Sequence, residues 1–184
     1  MGFTPVAWCD VNILASRRQA AVGQAQRIAS QATLTDLIYR DYTPTDAYGG
    51  VDTAAFTFPG ILAANVVNAD VIPKATGFNL SSTQALVIWG FALESTNPQL
   101  REMQWGIKAG LFDIISLTVL LTEQRPIGII DPPIAYKPNE HIVLNLRVAA
   151  QVAANAEEVN ILAVVAEQSE SNVLPPRIVD TVAA

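Results

Sequence analysis

The chain has 184 residues, 51% hydrophobic and only 15% charged, with 11 Lys and Arg against 17 Asp and Glu and a net charge of −6. The acidic balance, without clustered basic residues, argues against a nucleic-acid surface. A single cysteine excludes an internal disulfide, and the longest apolar run, Leu111–Gln124, is too short and too interrupted by Asp113, Ser116 and Thr118 to cross a bilayer.

Residues 1–9 read as an extended arm, with no basic segment ahead of an apolar run and hence no expected signal peptide. Asp10 is placed to cap a helix. Val11, Leu14, Ala15, Val22, Ala25, Ile28, Ala29 and Ala32 then recur at spacings of three and four, an amphipathic helix of about five or six turns. Its stripe is mostly Ala and suits close packing, either on its own domain or on a neighbour. The Arg17-Arg18 pair reads as a solvated helix face.

From Thr33 the pattern turns to β. "TLTDLIYRDYT" is a short strand, "PTDAYGG" a turn, "VDTAAFTFPG" an alternating segment, and "ILAANVVNADVIPKATGFNLSS" one or two strands. "TQALVIWGFALES" is apolar on both faces, as for a central strand covered on both sides, with Ala85, Val87, Trp89, Phe91 and Leu93 on one face. "EMQWGIKAG" and "FDIISLTVLLTEQ" follow as strands, and "PIGIIDPPIAYKPNE" as a Pro-rich connection rather than a long central strand. "HIVLNLRVA" puts Ile142, Leu144, Leu146 and Val148 on one face, and "EVNILAVVAEQ" is its expected partner. The organisation expected is an N-terminal arm and helix (1–33), a β-sandwich domain (34–168) and an extended C-terminal tail (169–184). The fold class is mainly β: an antiparallel two-sheet sandwich, a jelly roll, preceded by the amphipathic helix arm. An immunoglobulin-like sandwich is the alternative.

Catalytic chemistry is not expected. His141 is the only histidine, too few for a metal site, and no Ser elbow pairs with it. Cys9 lacks a base and a shaped pocket. Glu157 and Glu158 are adjacent, so on a strand they point to opposite sides and form no acid/base pair. Trp89 and Trp105 fall within strands as core residues. No metal or cofactor is expected, and the chain is read as a non-enzyme.

The charge fraction falls well below the ~25% of ordinary soluble domains. Over the roughly 8,600 Å² expected for a chain of this mass, the charges number about one per 300 Å². Much of the outer surface is therefore expected to lie against other protein; an Ala- and Thr-rich domain with few charges is the alternative. Trp8, in an arm with no core of its own, reads with Phe3, Val6, Ile13 and Leu14 as a contact for a partner subunit.

Taken together, the docking arm, the weakly charged sandwich, and "QWGIKAG…LFDIISLTVLLTEQ" with "KPNEHIVLNLRVAA…EEVNILAVVAEQ" resemble virion structural proteins of tailed bacteriophages, above all jelly-roll decoration (cement) proteins on the capsid. The resemblance implies a virion location, capsid or other virion proteins as partners, and dimeric or trimeric clustering. A carbohydrate- or receptor-binding module of a tail or spike is the second expectation, with Tyr42 and Tyr48 near its loops.

Overall fold

The computed structural model describes residues 2–7, 10–43, 58, 60–69, 71, 80–95, 98–118, 120 and 127–169, with Gly2 and Phe3 by their main chain only. Ten elements run in chain order: β1 (Gly2–Val6), α1 (Val11–Gln31), β2 (Leu37–Asp41), β3 (Val67–Asn68), β4 (Gln84–Leu93), β5 (Leu100–Ile107), β6 (Gly110–Ser116), β7 (Ile127–Tyr136), β8 (Ile142–Val148) and β9 (Val159–Gln168). The protein is mainly β, with two antiparallel sheets and one N-terminal helix. One sheet has the order β1-β7-β4-β9-β2, the other β3-β8-β5-β6.

The pairings are nested. β5 meets β6, β4 meets β7, β3 meets β8 and β2 meets β9, as if one long antiparallel hairpin were folded at the β5–β6 turn. The further pairs β4–β9 and β5–β8 join the strands of that hairpin into two sheets. Apolar side chains from both sheets share one core: Leu86, Ile88 and Phe91 of β4 and Ile130, Ile134 and Tyr136 of β7 lie with Met103 and Trp105 of β5 and Leu144 and Leu146 of β8.

The opposite face of the five-stranded sheet carries α1. Ala21, Ala25, Ile28 and Ala29 pack on Ala85, Val87, Trp89, Val164 and Ala166. Small side chains on both surfaces let the helix lie close to the sheet, and dispersion contacts grow with that closeness. The helix thus covers its own domain, one of the two expected uses of its stripe. Arg17 and Arg18 reach opposite sides of the sheet, Arg17 to Asp131 of β7 at 3.2 Å and Arg18 to Asp41 of β2 at 2.7 Å. Exposed pairs of this kind stabilise little, but they set the helix's orientation. The Asp10 carboxylate accepts from the Ala7 N–H at 3.3 Å and makes no side-chain bond to the first helical turn, so it braces the β1–α1 corner rather than capping the helix.

Four sequence expectations change. Residues 2–6 are not a free arm: they form edge strand β1, paired with β7 from Gly2–Asp131 to Val6–Ile127. The Pro-rich stretch is strand β7, ten residues long and bordered by β1 and β4. It tolerates Pro132 and Pro133 because pairing to β4 jumps from Ile129 to Ile134 while β4 advances only from Gly90 to Ile88. The β1 pairing ends at Asp131, so the prolines sit where no ladder N–H is required. The same irregularity in β4 turns its faces over: Ala85, Val87 and Trp89 face the helix, whereas Phe91 joins Leu86 and Ile88 in the inter-sheet core. Finally, β9 is not the partner of β8. The stretch 149–158 crosses between sheets, and β9 pairs with β4 and β2. The expected turn at 44–50, the alternating segment up to Thr57 and the tail from Glu170 lie outside the described residues.

Two glycines make opposite predictions. A Cβ on Gly23 in α1 meets nothing within 4 Å, so Gly23→Ala raises stability by about 0.5–1 kcal/mol in urea unfolding. A Cβ on Gly128 falls 2.5 Å from the ring of the fully buried Phe91. Gly128→Ala overpacks the core and lowers stability by about 1–3 kcal/mol in the same measurement.

Candidate functional site

The residues expected to contact a partner divide sharply. Val6 is only 3% exposed and packs with Ala92, Ile127 and Ile129, with Leu14 half-buried beside them. Val6 is therefore used inside the fold, since once residues 2–6 pair into the sheet it has a core to enter, and Leu14 packs partly against the same cluster. Ile13, 46% exposed, remains on the outer side of α1. Phe3 lies opposite Ile130 by its main chain; its side chain, Trp8 and Cys9 are outside the described residues.

His141 is half-buried and directly precedes β8. Trp89 and Trp105 are core residues, and Tyr42 is buried among the inter-sheet side chains rather than presented to a sugar; Tyr48 lies outside the described residues. Among the described residues no aromatic ring is exposed, and no group of three or more His, Cys, Asp or Glu is placed to hold a metal ion.

The surface that stands out is the outer face of the four-stranded sheet. Alternation along β8 sends Ile142, Leu144, Leu146 and Val148 inward and leaves Val143, Asn145 and Arg147 on the other side. On β5, Met103 and Trp105 point inward, leaving Glu102 and Gln104 outward. The register aligns these residues in rows. Arg147 lies beside Glu102 and Ser116, Asn145 beside Gln104 and Ile114, and Val143 beside Gly106 and Leu111. Val67 of β3 extends the first row next to Arg147.

Polar groups occupy the centre of this face and apolar ones its rim. Val67, Leu111 and Ile114 are 53%, 51% and 54% exposed. Arg147 Nη1 meets Glu102 Oε2 at 3.4 Å, and the Arg147 Nε–H is buried without an acceptor among the described residues. Gln104 Nε2 donates to the Phe112 carbonyl at 2.8 Å. A shallow depression lined by Val67, Glu102, Gln104, Ile114, Asn145, Leu146 and Arg147 has a volume of about 20 Å³, room for a water molecule and far below the several hundred Å³ of a small-molecule site.

Sequence reasoning missed the buried carboxylate. Glu157, 2% exposed, accepts from the main-chain N–H groups of Gln99 at 3.2 Å and Leu100 at 3.4 Å, tying the inter-sheet crossover to the start of β5. Burial raises its pKa above the usual carboxylate range, opposed by the two N–H groups and Arg101. The Tyr136 hydroxyl is likewise pushed up by burial and donates to the Gly106 carbonyl at 3.2 Å. Perturbed groups of this kind often mark active sites; here burial is the main cause of each shift, each group has a main-chain partner, and neither lines the depression. The cue in the sequence was slight, a Glu next to the apolar start of a strand.

Comparison of the chain with protein-family models, with curated proteins and with solved structures returned no match.

Glu157 gives a signed prediction. Its raised pKa means that folding takes up a proton, so its contribution is complete below the unfolded-state value of 4.5 and declines as pH rises through the folded-state value. Unfolding free energies of the wild type relative to Glu157→Gln therefore fall as pH is raised from about 4 to about 7. Glu157→Ala, which removes the acceptor for both N–H groups, costs about 2–4 kcal/mol.

Proposed function

We propose that this chain is a non-enzymatic structural subunit of a virus particle, a capsid decoration (cement) or minor coat protein built on a jelly-roll sandwich. The nested pairing supports the jelly roll: strands β2 to β9 pair as one rolled hairpin in the orders 2-9-4-7 and 3-8-5-6, the double Greek key of that fold. Fold alone does not carry function. The observation that does is the outer face of the four-stranded sheet, over which no described element lies. Among the described residues eight large apolar side chains stand exposed, and four of them, Val66, Val67, Leu111 and Ile114, lie in or beside β3 and β6 at the borders of that face.

The charge count points the same way. The 28 formal charges over a surface of 10155 Å² amount to about one per 360 Å², a sparse solvation shell for a lone molecule. Subunits held in an assembly bury such surface against neighbours, in interfaces that are large and relatively apolar. The exposed side of α1, where Val11 and Ile13 stand outward, offers a second contact to the particle.

Mass spectrometry of gradient-purified particles of the virus that encodes the chain is expected to find it in fixed ratio to the coat protein. Its absence from the particles refutes the virion reading. Ile13→Glu is expected to leave the unfolding midpoint within about 0.5 kcal/mol of wild type, as for other exposed positions, while weakening attachment to particles that lack the protein.

A further inference from the structure

We infer that the outer face of the β3-β8-β5-β6 sheet binds a second copy of this chain, face to face, about a two-fold axis running along the strands midway between β8 and β5. This deepens the assembly reading, since it requires the face to be an interface but not that the interface belong to a virus particle.

The argument rests on the rows of that face. A two-fold axis in this position exchanges β8 with β5 and β3 with β6 between the copies while preserving height along the strands. Arg147 and Glu102 share one height, so the Arg147 of each copy comes to lie over the second copy's Glu102, and two intermolecular ion pairs form. The Arg147–Glu102 contact within one chain is long, 3.4 Å, and uses one guanidinium nitrogen, so both groups retain capacity for a second partner. At the next height Asn145 faces the second copy's Gln104, two amides that can each donate and accept. At the third, Val143 faces the second copy's Gly106, which is covered by that copy's Leu111 side chain, so the contact there is apolar on both sides. The same exchange carries the exposed Val67 onto the Ile114–Ser116 end of the second copy's β6.

A face with like charges at one height would repel its own copy in this arrangement; here every central row is complementary to itself. Isologous contacts demand this property, because residue i must suit j while j suits i. Aligned packing of two twisted sheets, at about −30° between strand directions, keeps the axis close to the strands. Four strands at ~4.8 Å spacing and six or so residues at ~3.3 Å give a patch of roughly 20 by 20 Å. That is about 800 Å² over both copies, below the ~1,200 Å² at which standard specific interfaces begin, so the dimer is expected to be weak, in the micromolar range.

Analytical ultracentrifugation of the full chain decides it. The wild type is expected to dimerise, less tightly at high salt. Glu102→Arg alone and Arg147→Glu alone each set like charges against each other and are expected to weaken the dimer at least ~100-fold. Mixing those two variants in equal amounts is expected to yield a heterodimer, since one chain now presents two cations and the other two anions. The double variant, Glu102→Arg with Arg147→Glu, recovers the homodimer and keeps an opposite-charge pair within each chain, which guards against loss of folding in a single variant. A wild type that stays monomeric to about 100 μM, well above the expected micromolar range, overturns the proposal, as does a dimer indifferent to the single reversals or a mixture that forms no heterodimer. A monomer that still co-purifies with particles removes this inference and leaves the virion reading; a dimer absent from particles does the reverse.

Discussion

The structure depends on keeping β4 dry on both sides. Nine of its ten residues are buried, and a strand that apolar is stable only between two layers. One layer is the four-stranded sheet, through the core shared by Phe91, Trp105 and Leu144. The other is α1, whose Ala21, Ala25 and Ala29 come close to Ala85 and Ala166. Removing either layer would expose a surface with few polar groups to meet water, so the N-terminal helix is part of the domain rather than an attachment to it.

That requirement shapes the rest. Among the described residues, five strands carry a helix and four do not, and no described element lies over the outer face of the four-stranded sheet. The Arg147–Glu102 pair and the Gln104 and Asn145 amides keep the middle of that face soluble, while the apolar side chains at its borders are left for water or for a partner. The proposed dimer and the proposed place in a particle are both readings of this asymmetry. They draw on different consequences of it: self-complementary rows in one case, a deficit of charge over the entire chain in the other.

Irregularities sit where the layers must adjust. The offset between Ile88 and Gly90 in β4 lets one strand serve the helix at its start and the inter-sheet core at its end, and the two prolines of β7 occupy the stretch that this offset leaves unpaired. Glu157 secures the crossover from β8 to β9 by giving two main-chain donors an acceptor at the start of β5, where its ladder with β8 begins. Such a group holds a connection in place.

Class and composition were legible in the chain itself. Period-two runs marked β4 and β8 and spacings of three and four marked α1, because side-chain periodicity is a local property. Only the tertiary structure decided which strand pairs with which. Nothing within "HIVLNLRVA" and "EVNILAVVAEQ" distinguishes a hairpin from two strands in different sheets, since the outcome depends on β4 and β5 competing for the same edges. It also decided the fate of the first residues. Val6 looked like a contact for a neighbour while its own core was out of sight, and it found that core once β7 supplied the edge. The outer face, finally, is assembled from β3, β5, β6 and β8, strands far apart in sequence, whose rows come into register only when the ladder's hydrogen bonds have set it.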